Sequence, residues 1–343
     1  MKQYQFKVEN SNNVDWDKIY SLKETIFYQT HDWVKFLIKA FDITPFVVAI
    51  GLDNEVVGYF IGMKMKKFGI SIVGSPFEGW TTPYQGITMV REIPNNERVI
   101  IYEQLIDFCF KGGYCLFLQF SDWQLETEDL QNTKLNYKLS HSYKLDLSKE
   151  PEELLKSFKD KSCRYSIKKA QKLGIIVEEA KSKEEFVDSY YSQLVDVFAK
   201  QRLKPTYSKE RVMVMVNTLD ESNELLLIEA REPETKKSIA TVIYVMFNGL
   251  AFYWGAASYR EYQKLCPNEI LMYEAMKIAQ KRGCTLLEME GIRKYKEKYN
   301  PERYSKPVVV AAKYSVLILF KDLAKKTYYF TRRLFSCFYG KNN

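Results

Sequence analysis

Apolar and polar positions alternate most clearly between Leu250 and Gly291. Leu250 to Ala257 is a short apolar and aromatic run, which predicts a buried strand. The polar stretch from Ser258 to Pro267 predicts a loop. Apolar residues then recur at helical spacing and share one face of a predicted helix: Leu271, Ala275, Ile278 and Ala279.

The ends of this helix are marked by their residue types. Asn268 is placed to cap a helix that begins at Glu269, and Gly283 is placed to end it. Thr285 to Met289 predicts the next strand. A strand, loop, helix and strand in this order can hold a pyrophosphate or an activated acyl carrier at the helix N-terminus. An ordinary βαβ unit has the same pattern.

The first half of the chain repeats this order of elements. Residues 46–65 predict a strand, a tight turn and a strand, and residues 224–247 do the same in the second half. In each half an amphipathic helix then leads to a glycine, Gly113 or Gly283, and a further strand. This weak internal duplication predicts two copies of one α/β fold. Chance similarity between α/β segments is the alternative.

Composition narrows the class of protein. The 343 residues, of which 46% are hydrophobic, suffice for two ordinary domains with a large core. The formal net charge of +8 fits an anionic partner without selecting one. Six cysteines without a CxxC pair and only two histidines, His31 and His141, give poor support for a zinc site or a histidine triad, so we expect no metal. Without a signal peptide or a bilayer-spanning run, we expect a cytoplasmic protein.

The order of elements resembles the tandem GNAT-type acyltransferases, namely the Fem-type peptidyltransferases and the CelD-like acetyltransferases of polysaccharide loci. YQTHDWVKFL, residues 28–37, resembles the tryptophan-bearing helix near their N-terminus. Residues 162–180 resemble the helix and strand that open their second domain. Residues 265–291, followed by YKEKYNPERY, resemble their closing helix, strand and basic-aromatic loop. The resemblance implies a mixed α/β fold with GNAT-like domains at 1–150 and 151–313, followed by a basic tail at 314–343.

The resemblance also implies where an acyl donor binds. The donor would be acetyl-CoA or another acyl-CoA, and aminoacyl-tRNA is the alternative. A nucleic-acid partner is expected only if tRNA is the donor. Simple GNAT enzymes hold pyrophosphate with a glycine-rich loop, and the matching residues here, REYQKLCP at 260–267, contain no glycine. The candidate donor-binding residues are Ser258, Arg260, Lys264, Asn268, Glu269 and Ile270.

Acyl transfer needs a positioned acceptor, a base or water relay, and hydrogen-bond donors for the oxyanion. Alternation along the last strand predicts that Glu288 and Glu290 point to one face, where α/β folds place ligands. Glu290 is the better candidate because it is nearer the loop, although either carboxylate can instead pair with Arg293 or Lys296. Tyr253, on the strand before the loop, is a candidate donor to a leaving thiolate; a plain core tyrosine is the alternative.

Two further clusters suit the acceptor. Basic and tyrosine residues after the last strand suit phosphate or a sugar-linked diphosphate. A solvated basic face is the alternative. These residues are Arg293, Tyr295, Lys296, Lys298 and Tyr299. Trp80 and Tyr84 lie in a loop rich in glycine and proline, GSPFEGWTTPYQG, and are candidates to line an acceptor cleft. A packed Ω-loop is the alternative.

The tail has the pattern of an interfacial helix. On a helix, Lys321, Lys325, Arg332 and Arg333 would fall near one face. The opposite, mainly apolar face would carry Phe320, Leu323, Thr327, Phe330, Leu334 and Phe338. The tail therefore predicts either contact with a membrane surface or packing on the body of the protein.

The sequence as a whole predicts an acyltransferase of class EC 2.3. It would transfer an acyl group, for which acetyl is the first candidate, to an amine or hydroxyl. The acceptor would be a cell-envelope glycan or polysaccharide precursor, free or linked to a lipid. The first alternative is a peptidyltransferase that uses aminoacyl-tRNA and acts on a peptidoglycan precursor. The second is a non-catalytic glycan- or membrane-binding protein.

Overall fold

The computed structural model describes residues 2–10, 12–131, 133–159, 161–199, 202–219, 223–321, 323 and 327. These residues divide into two compact units, one within Met1–Ser140 and Ser305–Asn343 and the other within His141–Tyr304. The domains expected from the sequence meet at residue 150, with residues 305–313 in the second. In the structure, residues 141–150 group with the second unit and residues 305–313 with the first.

The first unit is a mixed sheet with helices. Its sheet has the order β1-β2-β3-β4-β6-β13, with β5 paired to β3. Neighbouring strands are antiparallel except β4 and β6, which are parallel. The elements are β1 Gln5–Val8, α1 Trp16–Ser21, α2 His31–Ala40, β2 Thr44–Leu52, β3 Glu55–Lys67, β4 Ile70–Ser75, β5 Gly86–Met89, α3 Asn95–Lys111, β6 Phe117–Phe120 and β13 Glu302–Ala312, the last shared with the second unit.

Local sequence explains where these elements begin and turn. The Thr30 side chain accepts a hydrogen bond from the backbone N–H of Trp33 and caps α2, as residues 28–37 predict. Asp53 and Asn54 join β2 to β3 with positive φ angles of 51° and 67°, which these two residue types tolerate better than most. The predicted hairpin is therefore present.

The core of the first unit lies between α3 and the sheet. Val99, Tyr102 and Leu105 of α3 are buried against Phe60, Leu118 and other strand residues. Arg98 on the same helix is also buried, and its guanidinium forms ion pairs with Asp122 at 3.0 Å and Glu24 at 2.8 Å. Because each charge has a partner of opposite sign, this buried cluster is accommodated.

The second unit repeats the arrangement. Its sheet has the order β7-β12-β11-β10-β9-β8, in which only β11 and β12 are parallel. Its elements are β7 Asn136–Asp146, shared with the first unit, α4 Pro151–Ser157, α5 Lys161–Lys172, β8 Ile176–Glu179, α6 Lys183–Ala199, α7 Lys209–Thr218, β9 Leu225–Arg231, β10 Ser238–Phe247, β11 Leu250–Ser258, α8 Pro267–Lys281 and β12 Leu286–Glu288.

Helix α8 fills the core of the second unit. Leu271, Ala275 and Ala279 are buried, as the helical spacing predicts, and pack with residues of β9, β10 and β11. The N-terminus of the helix was predicted wrongly. Pro267 is the first helical residue and Cys266, with φ of 58°, is the cap position, so Asn268 lies inside the first turn. Proline favours this first position because the N–H it lacks would have no helical partner.

Helix also follows β13. Residues 316–321, 323 and 327 are helical, in line with the start of the predicted tail helix. Residues 322, 324–326 and 328–343 lie outside the described residues, and with them Lys325, Phe330, Arg332, Arg333, Leu334 and Phe338 of that prediction. No helix within the described part of the chain is long and apolar enough to cross a membrane.

Candidate active site

A gap opens between the two parallel strands of the second unit. Strand β11 pairs with β12 only from Leu250 to Phe252, opposite Leu286 to Glu288. Beyond this point β11 continues to Ser258 and stays paired with β10, whereas β12 has ended. The last part of β11 therefore offers backbone groups on the side that β12 has left, close to the start of α8.

A β-bulge lies beside this gap. Ile243 of β10 pairs with Gly255 and Tyr244 pairs with Tyr253, so Trp254 is the extra residue in β11. A bulge bends its strand and redirects the neighbouring side chains. The bulge thus turns β11 away from β12 at the position where their pairing stops.

Two tyrosines that the sequence analysis did not select converge on the bulge. The hydroxyls of Tyr190 on α6 and Tyr207 before α7 are 2.6 Å apart. A side chain at Gly255 would place its Cβ 2.5 Å from the Tyr190 hydroxyl, so only glycine fits here without a shift. The Trp254 ring lies 5.3 Å from that of Tyr207, and its buried indole N–H has no hydrogen-bond partner in the described residues.

Glu290 lies close to the pair formed by Tyr190 and Tyr207. Burial raises the pKa of Tyr190 and brings the pKa of Tyr207 to about 12, and the Glu290 carboxylate adds to both shifts through its charge. Both phenols are therefore neutral hydrogen-bond donors at neutral pH. Glu290 is partly exposed and has a φ of 49°, in the left-handed region. The expectation that it continues the alternation of β12 is wrong, because the strand ends at Glu288.

Glu288 is enclosed and fully engaged. Its side chain is 1% exposed and accepts hydrogen bonds from the Ser142 hydroxyl, the Tyr304 hydroxyl at 2.8 Å and the backbone N–H of Glu290 at 2.8 Å. Burial raises the pKa of this carboxyl, and the hydrogen bonds oppose that shift. Its contacts fix the turn after β12, where Ser142 also accepts a hydrogen bond from the N–H of Gly291.

Lys296 is buried beneath the same turn. Its ammonium donates to the backbone carbonyls of Met289, Glu290 and Gly291, the last two at 2.7 and 3.3 Å. It also lies 4.7 Å from the centre of the Tyr253 ring. Burial lowers the pKa of Lys296 to about 8. One of these contacts is therefore with the backbone oxygen of Glu290, and the charge of the Glu290 carboxylate opposes the fall in the pKa of Lys296.

Tyr253 faces the interior side of β11. It is buried, its hydroxyl is 3.1 Å from that of Tyr295, and burial raises its pKa well above the usual value. It belongs to the core cluster of the second unit, as the plain core interpretation predicts, yet its hydroxyl is hydrogen-bonded at the edge of that cluster.

The candidate donor-binding residues lie around the start of α8. Ser258 accepts a hydrogen bond from the Asn268 side chain at 3.0 Å, and Glu269 forms an ion pair with Lys298 at 2.6 Å. The remaining three differ in exposure. Arg260 and Lys264 lie in a short 3₁₀ helix and are exposed, whereas Ile270 is buried. The side chain of Cys266, the N-cap residue, makes no capping hydrogen bond to the first turn of α8.

The acceptor candidates are only partly accessible. Arg293 and Tyr295 are exposed, but Tyr299 is buried with its ring 5.3 Å from that of Phe158. Trp80 and Tyr84 lie in the first unit and are also buried, Trp80 near Phe41 and Phe77, and Tyr84 near Trp123. These contacts match the packed-loop interpretation, and the acceptor role of Trp80 and Tyr84 stays a prediction.

The first unit lacks the corresponding gap. Its parallel strands β4 and β6 pair up to Ser75 and Phe120, and the backbone N–H of Ser121 then bonds the carbonyl of Ser75. Gln85 continues the contact by donating its N–H to the carbonyl of Ser121 at 2.9 Å. Within the residues that the structure describes, the parallel strands thus separate in the second unit and stay joined in the first.

Comparison with known proteins identifies this second unit. A family model described as an acetyltransferase (GNAT) domain matches residues 157–299. This segment is a GNAT acyltransferase domain. The GNAT domain contains the strand gap, the bulge, Tyr190, Tyr207 and both glutamates. Its enzyme class is acyltransferase, EC 2.3, as the sequence predicts.

Solved structures extend the likeness to most of the chain. FemX has a TM-score of 0.68 at 13% identity, with 89% of this chain and 96% of that chain covered. A conserved protein of unknown function from Bacteroides thetaiotaomicron has a TM-score of 0.60 at 12% identity, covering 91% and 100%. A tandem GNAT protein from the clavulanic acid biosynthesis pathway has a TM-score of 0.52 at 10% identity, covering 90% and 98%. The predicted tandem GNAT-like fold is confirmed; a search of curated protein sequences finds no match.

Proposed function

We propose that the GNAT domain transfers an acyl group from acyl-CoA to an amine or hydroxyl of a cell-envelope glycan or polysaccharide precursor. The gap between β11 and β12 carries this proposal. Here the edge of β11 extends beyond the end of β12, and the N-cap residue at the start of α8 makes no side-chain cap. The partly exposed carboxylate of Glu290 lies at the same gap. Such a gap accepts a thioester between the strands, where backbone N–H groups can stabilise the charge that develops on its oxygen.

Glu290 serves as the general base in this proposal. It takes the proton of the attacking amine or hydroxyl as the new bond to the acyl carbon forms and the bond to sulfur breaks. A hydroxyl of the tyrosine pair Tyr190 and Tyr207 protonates the departing sulfur, and solvent restores that proton. The pair suits this role because both phenols hold their protons at neutral pH.

Trp254 and Tyr207 support a glycan acceptor. They provide aromatic faces beside an indole N–H that has no partner in the described residues, and the Tyr207 hydroxyl lies next to that of Tyr190. Sites that bind small polar molecules combine apolar walls with a few directed polar groups. A sugar presents both apolar C–H faces and hydroxyls, and therefore fits this combination.

One observation favours aminoacyl-tRNA as the alternative donor. The first turn of α8 carries the Glu269 carboxylate, which is bound to Lys298, and the turn before it contains no glycine. A carboxylate beside these N–H groups competes with a pyrophosphate for the positive helix end. The ester end of an aminoacyl-tRNA brings no pyrophosphate to this position.

Two measurements on the full chain test the donor. Acetyl-CoA at 100 times its dissociation constant should stabilise the folded protein by about 2.7 kcal/mol and raise its melting temperature by several degrees. Thiol release from acetyl-CoA in the presence of an amino sugar should exceed the rate without acceptor. Charged tRNA and uncharged tRNA provide the matched comparison for the alternative donor.

The outcomes separate the proposals. Stabilisation by acetyl-CoA with acceptor-dependent thiol release supports the proposal. A shift with charged tRNA alone would replace acyl-CoA by aminoacyl-tRNA. If neither donor binds, the proposed reaction is wrong and a glycan- or membrane-binding role remains.

A further inference from the structure

The helix that follows β13 carries an apolar stripe on its outer side. Val316, Leu319, Phe320 and Leu323 fall within one face at helical spacing. Leu319, Phe320 and Leu323 are exposed by 70%, 63% and 61%. Large apolar side chains that are exposed together on one face mark a contact surface.

The opposite face of this helix fixes it to the first unit. Ile318 packs against a small core formed by Ile72, Phe117 and Val310. The Lys321 ammonium bonds the Gln119 side chain at 2.7 Å and lies 5.0 Å from the centre of the Phe117 ring. Lys321 thus lies on the helix face opposite the apolar stripe, and this face contacts the first unit. Because the inner face is occupied, the apolar stripe stays directed away from the unit.

A second apolar group lies at the same end of the first unit. Phe68 is 91% exposed at the tip of the hairpin between β3 and β4, with a φ of 51°. Met65 and Ile70 of this hairpin pack against the same small core as Ile318. The hairpin tip and the helix therefore flank one apolar cluster.

The charged residues in the two segments that carry these apolar side chains are all basic. Lys66 and Lys67 precede Phe68 and are exposed, as is Lys313 at the end of β13. Residues 63–75 and 305–321 contain no Asp or Glu. From Arg303 onward the sequence has nine basic residues and one acidic residue, Asp322. This surface thus combines exposed apolar side chains with a basic surround.

We propose that this surface docks onto a membrane leaflet rich in anionic lipids. Phe68, Leu319, Phe320 and Leu323 would enter the boundary between headgroups and acyl chains, while the lysines contact lipid phosphates. Interfacial helices bind in this way, through apolar burial together with attraction to negative headgroups. The excess of basic residues selects a lipid surface over a second copy of the chain, which would bring like charges together.

A groove along one side of the helix adds apolar surface. It has a volume of about 340 Å³ and is lined by Tyr137, Val310, Ile318 and Leu319, with Lys138 and Lys321 at its polar side. An acyl chain of a lipid fits such a lining, and its phosphate would lie near the two lysines. The docking surface is independent of the transfer reaction proposed above.

Vesicle co-sedimentation of the full chain tests the proposal. Wild-type protein should bind vesicles of phosphatidylglycerol and phosphatidylcholine, bind pure phosphatidylcholine far less, and lose binding as salt rises. Replacing both Leu319 and Phe320 by serine, or Phe68 by serine, should lower partitioning about tenfold or more, because apolar burial supplies much of the affinity.

Val56→Ser is the matched control. Val56 is also exposed, by 39%, and lies on β3 at the end opposite Phe68. It should bind like wild type. Equal binding by wild type and the Phe68 and helix variants, or no binding of wild type to anionic vesicles, would overturn the proposal. A concentration-dependent dimer in light scattering that the same variants abolish would also overturn it, in favour of self-association.

Discussion

At the scale of single residues, the two glutamates after β11 differ through their surroundings. Glu288 is buried and accepts hydrogen bonds from Ser142, Tyr304 and the N–H of Glu290. A carboxylate with these partners holds the turn in place, and its lone pairs are occupied. Glu290, which is partly exposed beside the tyrosine pair, is the group that can exchange a proton with an acceptor.

Replacing Glu290 by glutamine therefore tests the base. We expect kcat to fall by about 10²–10⁴-fold, the range typical of a lost general base, with little change in donor binding. Glu297→Gln, in the following 3₁₀ helix, changes a carboxylate that contacts Tyr143 and should leave kcat near the wild-type value. Normal turnover of Glu290→Gln would remove Glu290 from the mechanism.

Lys296 gives a prediction about stability and pH. Burial lowers its pKa to about 8, whereas an unfolded lysine has a pKa of about 10.4. Between these values the unfolded chain binds the extra proton, so the contribution of Lys296 to the free energy of unfolding rises with pH. Below pH 8 both states are protonated and its contribution is constant at its lowest value.

The comparison with Lys296→Met isolates this contribution. From pH 8 to pH 10.4 the free energy of unfolding of wild type should gain up to about 3 kcal/mol relative to the variant. Urea denaturation at several pH values measures the difference. A difference that is constant or falls with pH would contradict the shifted pKa.

At the scale of elements, the start of α8 decides which donor fits. Glu269 in its first turn forms an ion pair with Lys298, and the side chain of the N-cap residue Cys266 makes no capping hydrogen bond. Glu269→Gln removes a negative charge from the positive helix end and frees Lys298. If phosphates of acyl-CoA bind here, we expect the dissociation constant to fall several-fold, because each favourable charge at a helix end contributes about 0.3–1 kcal/mol.

Calorimetric titration with acetyl-CoA measures this effect. Glu274→Gln, farther along the same helix and paired with Lys277, is the control and should bind as wild type does. Weaker binding by Glu269→Gln would mean that the carboxylate itself supports the donor.

The sequence predicts elements better than it predicts the site. Hydrophobic spacing located β11, α8 and the hairpins, because these segments bury one periodic face. It missed Tyr190 and Tyr207, which look like core or loop residues until α6 and α7 bring them to the bulge. The left-handed Glu290 could not be anticipated from alternation, since the short β12 ends two residues earlier.

At the scale of the whole molecule, the two units share an order of elements but differ where their parallel strands end. Both contain a hairpin, a strand, a helix and a parallel strand, as the two halves of the sequence predict. In the first unit Ser75, Ser121 and Gln85 close the parallel strands, whereas in the second the strands separate. The same order of elements therefore builds joined parallel strands in one unit and the candidate active-site gap in the other. Hydrophobic pattern alone does not distinguish these outcomes, because they depend on where pairing stops.

Strand β13 joins the sheet of the first unit but is one of the last strands of the chain to be synthesised. Residues 305–312 are translated after the entire GNAT domain, yet Val309 and Val310 pair with β6 of the first unit and are buried there. Until the ribosome has added them, β6 lacks this neighbour. The first unit therefore completes its sheet only after the second has been translated, although its own synthesis began first.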